Sequence, residues 1–101
     1  MAMLHVVNKS PFERNSLDAC LRLAEEGSSV LLIEDGIYAA MKDTVVSDKV
    51  IAKKGLKFYV LGPDLKARGM SEDRLIDGID VVDYGGFVDL TAEHDVVQSW
   101  L

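Results

Sequence analysis

The chain has 101 residues, 49% of them hydrophobic and 28% charged, with a formal net charge of −6. That length holds one domain, read here as residues 1–101, and the composition is that of a globular protein and not of a disordered one. Seventeen acidic against eleven basic residues argue against direct grip on DNA, RNA or anionic lipid, which depends on an excess of lysine and arginine.

The first predicted element is a strand from Met3 to Val7. The loop after it, Asn8-Lys9-Ser10-Pro11, lacks the glycines of a phosphate-binding turn, so no nucleotide cofactor is expected. Pro11 and Phe12 continue that loop, and an aromatic ring in a polar loop marks both as interface candidates. A helix follows, with Asn15 or Ser16 as its cap. Leu17, Cys20, Leu21 and Ala24 fall on one face, Asp18, Arg22, Glu25 and Glu26 on the other, and Gly27 ends it.

Val30 to Ile33 and Phe58 to Leu61 are nearly continuous apolar runs, as expected of strands buried on both faces. Between them, Ile37 to Met41 and Ser47 to Lys54 read as helical, with a stop at Gly55. Asp35, just past the second strand, could hold an ion or a receptor phosphate, but a helix-capping role is favoured. Pro63 opens a short helix over Asp64 to Arg68, closed by Gly69. Ile79 to Val82 is a fourth strand, and a last helix starts near Tyr84 to Phe87 and runs to about His94. Val96 to Leu101 is expected as a fifth, edge strand. Trp100 within it is a third interface candidate, because large aromatics concentrate at interfaces. Strand and helix alternate throughout, which implies right-handed crossovers and a mostly parallel, doubly wound α/β sheet of four to five strands with helices on both faces.

Cys20 is the one cysteine, so no internal disulfide forms, consistent with a reducing compartment. Residues Met1 to His5 lack the basic and long apolar regions of a signal peptide, and no apolar run approaches a transmembrane length. A cytoplasmic location is therefore expected. Cys20 is the only thiol that could act as a nucleophile, yet its place on the apolar helix face favours packing over chemistry. His5 and His94 have no ligand-spaced companions, so no metal is expected.

Several segments in order resemble the DsrH/TusB family of the DsrE-like sulfur-transfer group. They are Leu4-His5 with Asn8-Lys9-Ser10-Pro11-Phe12, Leu31-Leu32-Ile33-Glu34-Asp35-Gly36, and Tyr59-Val60-Leu61 with Asp64-Leu65-Lys66-Ala67-Arg68-Gly69. Val82-Asp83-Tyr84 with Phe87-Val88, and finally Gln98-Ser99-Trp100, complete the set. The resemblance implies a DsrE-like fold and a heterohexamer holding two copies each of this chain and of DsrE-like and DsrF-like (or TusD-like and TusC-like) subunits. It also implies passage of persulfide sulfur to a DsrC/TusE-type carrier. In the DsrE/TusD subunits the persulfide-carrying cysteine lies near the end of the third strand; that place here falls near Leu61 or Gly62, neither a thiol.

The first-helix Cys20, with the segments Asn8 to Phe12 and Gly62 to Gly69, resembles DsrH of sulfur oxidisers more than TusB. Dissimilatory sulfur oxidation is thus the first expectation, and thiolation of the tRNA wobble uridine the second. Within either, the chain is a structural subunit or, through Cys20, an auxiliary persulfide carrier. A receiver-like domain with Asp35 as phosphoacceptor is the reading from outside the family. Asn8 stands where its acidic cluster belongs, and no lysine follows a late strand.

Overall fold

The computed structural model describes residues 3–53 and 55–100. Five strands, β1 (Met3–Val7), β2 (Ser29–Leu32), β3 (Lys57–Leu61), β4 (Asp80–Val82) and β5 (Val96–Trp100), form one sheet in the order β4-β3-β2-β1-β5. Every pairing among the described residues of this sheet is parallel. The intervening helices are α1 (Ser16–Leu23), α2 (Ser47–Ala52), α3 (Gly62–Ala67) and α4 (Tyr84–Glu93), with 3-10 segments at Glu34–Ala40 and Glu72–Arg74. Lys54 and Leu101, the expected ends of one helix and of the last strand, lie outside the described residues, as do Met1 and Ala2.

The strand order decides which face each helix covers. Steps from β1 through β4 all move in one direction, and right-handed crossovers then put every connection on one face. The step from β4 back past β1 to β5 reverses direction and sends α4 to the other. The side chains divide accordingly. Val7, Val30, Leu32, Phe58 and Val60 meet Leu17, Cys20 and Leu21 of α1, Val50 of α2 and Leu65 of α3. On the other face Leu4, Val6 and Leu31 meet Leu90 of α4, with Tyr59, Val82 and Phe87 at the margin.

Several local features differ from expectation. Helix α1 stops at Leu23, where Ala24 turns extended, and Gly27 instead shapes the turn before β2 at φ +88°. Its N–H there donates to the Gly55 carbonyl at 2.8 Å. Asn15 occupies the N-cap position without a side-chain cap bond. The expected α-helix after β2 is a 3-10 segment that starts at Glu34. Within it Gly36 lies so near β1 that a Cβ on it would overlap the Val7 carbonyl oxygen and sit 3.0 Å from Val7 C. At α4, Asp83 is a true cap, its Oδ1 accepting from Gly86 N–H at 2.7 Å.

Candidate functional site

In a parallel sheet the strand C-termini and the loops after them form the usual working edge. Here that edge is knit together tightly. Ile33 N–H donates to the Val7 carbonyl at 3.0 Å, joining the ends of β1 and β2. Glu34 takes a left-handed conformation at φ +49°, unfavourable for a residue with a side chain. Its N–H then meets the Asp64 carboxylate of α3 at 2.7 Å. Asp35 Oδ1 accepts from Arg68 Nε at 3.0 Å. Asp35 makes no side-chain cap bond and is instead the partner of an arginine; with the pair partly exposed, it contributes at most about 1 kcal/mol. The sequence marks Asp64 as an acidic first-turn residue, but nothing in it marks Glu34 as left-handed.

The place that the resemblance assigns to a sulfur-carrying cysteine holds no thiol. Leu61 is buried, and Gly62 starts α3, with Pro63 in its first turn. A Cβ on Gly62 would stand 3.0 Å from Val81 Cγ1 and 3.4 Å from the Val82 carbonyl oxygen, so even the first atom of a larger side chain is tight there.

Cys20 does not compensate. It is fully buried between α1 and the sheet, and loss of solvation pushes its thiol up to about 12. Arg14 and Arg22 are both solvent-exposed, and neither lowers the thiol. The thiolate, the nucleophilic form, is scarce at neutral pH. A maleimide applied near pH 8 is expected to label Cys20 only after denaturant is added; rapid labelling of the folded chain, read by mass spectrometry, would contradict the burial.

The three interface candidates are scattered over the molecule. Phe12 is 53% exposed and Pro11 half-buried in the loop after β1, where Phe12 N–H donates to Ser10 Oγ at 3.2 Å. Trp100 ends β5 and is half-buried, its indole N–H donating to His5 Nδ1 at 3.0 Å. An indole N–H only donates, so Nδ1 is unprotonated and the proton of His5 sits on Nε2, which is buried without a hydrogen-bond partner.

Both histidines are structural. His94 Nδ1 donates to the Leu90 carbonyl at 2.6 Å and its Nε2 is hydrogen-bonded to Ser29 Oγ at 3.0 Å, tying the end of α4 to the start of β2. Among the described residues no group of three His, Cys, Asp or Glu side chains is arranged to hold a metal. No described helix is long and apolar enough to cross a membrane. Among the described residues the one thiol is buried, while several large apolar side chains, Phe12 among them, are exposed.

Comparison with known proteins bears on the family and the fold. A family model described as DsrH like protein matches residues 9–97. Protein TusB of Pectobacterium parmentieri is 37% identical over 98 residues, covering 97% of this chain and all of its own length. Protein TusB of Escherichia coli O1:K1 is 36% identical with the same coverage, and that of Buchnera aphidicola subsp. Baizongia pistaciae 33%. In three dimensions the fold matches the ychN protein of E. coli with a TM-score of 0.82 at 21% identity, over 98% of each chain. It matches MTH1491 of Methanobacterium thermoautotrophicum with a TM-score of 0.67 at 21% identity, over 96% of each.

Proposed function

We propose, from the premise that this chain belongs to the DsrH/TusB family, that it is the TusB-type, non-catalytic subunit of a sulfur relay serving 2-thiolation of the tRNA wobble uridine. The observation that carries the reading is the end-to-end similarity to proteins named TusB, in a chain with no accessible thiol. These names shift the balance away from dissimilatory sulfur oxidation, which the first-helix cysteine had favoured; with Cys20 sealed in the core, that cysteine carries no chemical weight.

A relay step moves a sulfane sulfur from a persulfide to a thiolate, forming one S–S bond as another breaks, with no net oxidation. Both ends of that exchange need a sulfur that solvent or a partner can reach. This chain supplies none, so in this reading the exchanging cysteines belong to TusC/TusD-like (DsrF/DsrE-like) partners and a TusE/DsrC-like carrier. Its own task is to complete a heterohexamer with two copies of each subunit. Exposed Phe12, adjoining Pro11, offers one surface for such contacts, and the open end of β5 by Trp100 another. The net acidity fits a subunit that touches proteins and leaves tRNA to others.

The test removes the chain from a host that makes 2-thiouridine and measures the modification in tRNA by mass spectrometry. Thiolation should collapse, and both the wild-type chain and Cys20→Ala should restore it. Failure of Cys20→Ala at normal abundance would reinstate the auxiliary-carrier reading. Unchanged thiolation after removal, together with lost sulfur oxidation, would favour the DsrH role. Light scattering of the chain mixed with its two related subunits should show one species with two copies of each; a chain that stays alone sinks the subunit reading.

A further inference from the structure

Strand β5 lies at the edge of the sheet and pairs only with β1 among the described residues. Alternate N–H and C=O groups along its outer side face away from the fold. Exposed edges of this kind are usually blunted by charge, proline, a bulge or shortness. The opposite edge, β4, has three residues and carries Asp80, paired with Lys57 at 2.9 Å. Strand β5 has five residues, Val96-Val97-Gln98-Ser99-Trp100, with neither charge nor proline. Val96 and Val97 stay 39% and 45% exposed. Something of matching backbone chemistry belongs there.

The flanking charges select the occupant. Glu93 and Asp95 immediately precede the strand. A second β5 running parallel would set these carboxylates side by side, which is unfavourable. An antiparallel copy sends them to opposite ends of the seam, each towards the end of the other copy's β1, where Lys9 follows.

Side chains match in the same arrangement. With the two-fold axis at Gln98, Val96 of each copy faces Trp100 of the other, and Val97 faces Ser99. Helix α1 packs over β1 and β5. Its Asp18 reaches Lys49 of α2 at 3.0 Å, so that flank looks along the sheet away from β5. Leu23 lies about 140° round the helix from Asp18 and is 66% exposed, on the flank above the β5 edge. There it would cover the Val96–Trp100 contact.

We propose that β5 is a self-pairing edge, through which two copies of this chain join antiparallel about a two-fold axis at Gln98 and extend the five-stranded sheet into its copy. The inference stands apart from the relay reading, since it uses only the edge and its neighbours. Five paired residues bury a small interface, so self-association is weak and should show in sedimentation velocity between roughly 0.01 and 1 mM chain. Gln98→Arg sets like charges across the axis and should raise the dimer dissociation constant roughly tenfold, without moving the thermal midpoint of the dilute chain. Gln98→Cys should form an intermolecular disulfide on mild oxidation, whereas Val97→Cys, which faces Ser99, should not. A chain monomeric across that range overturns the proposal. So does a dimer indifferent to Gln98→Arg, or a Gln98→Cys thiol that links only to a different subunit when the assembled complex is oxidised.

Discussion

Replacing Gly36 by alanine is expected to lower the free energy of unfolding by about 3 kcal/mol, with a matching shift of the urea midpoint. The cause is space and not backbone freedom, because the added Cβ would overlap the carbonyl oxygen of Val7. That oxygen is already occupied, accepting the Ile33 N–H at 3.0 Å, so the backbone cannot yield without losing a bond between the ends of β1 and β2. Gly27→Ala serves as the control. It has open space within 4 Å but φ +88°, and should cost only about 1 kcal/mol. A Gly36→Ala chain as stable as wild type would show that the 3-10 segment can lift off β1 freely, and that the working edge is looser than its hydrogen bonds imply.

The second large effect concerns Trp100 and His5. Trp100→Phe keeps most of the ring but removes the donor that His5 Nδ1 accepts from. His5 is 3% exposed and its Nε2 is already without a partner, so both ring nitrogens would be stranded, at a cost of about 2 kcal/mol. The same contact makes stability depend on pH. Burial lowers the His5 pKa from its ordinary 6.5, and a protonated Nδ1 could no longer accept from the indole. Above about pH 6.5 both folded and unfolded chains hold a neutral ring, and the contribution is complete. Below it the unfolded chain binds a proton that the fold refuses, so stability falls with pH and levels off once His5 is protonated in the fold as well. Denaturation curves between pH 7.5 and 5 should show this decline, and His5→Phe should lose the part due to this ring. A flat profile in the wild-type chain would mean that the ring is solvated.

Much of the fold was legible because it rests on local patterns. The runs Val30–Ile33 and Phe58–Leu61 are nearly continuously apolar because both faces of a covered parallel strand are buried, and the alternation of strands with helices led to the parallel sheet. The edge strand at Val96 could be read from its β-branched residues and aromatic, although its low burial weakened the pattern. What escaped was non-local. Nothing near Ser29 announces a hydrogen bond to His94, 65 residues away, so that histidine looked idle. Asp35 stood where a cap is common, and only the fold brings Arg68 to it. The 3-10 segment of residues 34–40 carries Gly36 against another strand, a contact that local propensity cannot encode. The site was legible chiefly as a lack: the family resemblance marked the place near Gly62 where a thiol is missing, while the sealing of Cys20 required the packed sheet.

The position of β5 also bears on how the chain is made. Strand β1 leaves the ribosome well before β5, but one of its two hydrogen-bonding sides is filled by residues 96–100, and His5 waits for a donor 95 residues downstream. Until residues 96–100 are made, the growing chain therefore holds a largely apolar strand with an open side inside its future sheet. Closure comes late, in one long-range step of the kind that slows folding. In the interval that side is exposed to other chains, and chaperone capture or prompt assembly would protect it most.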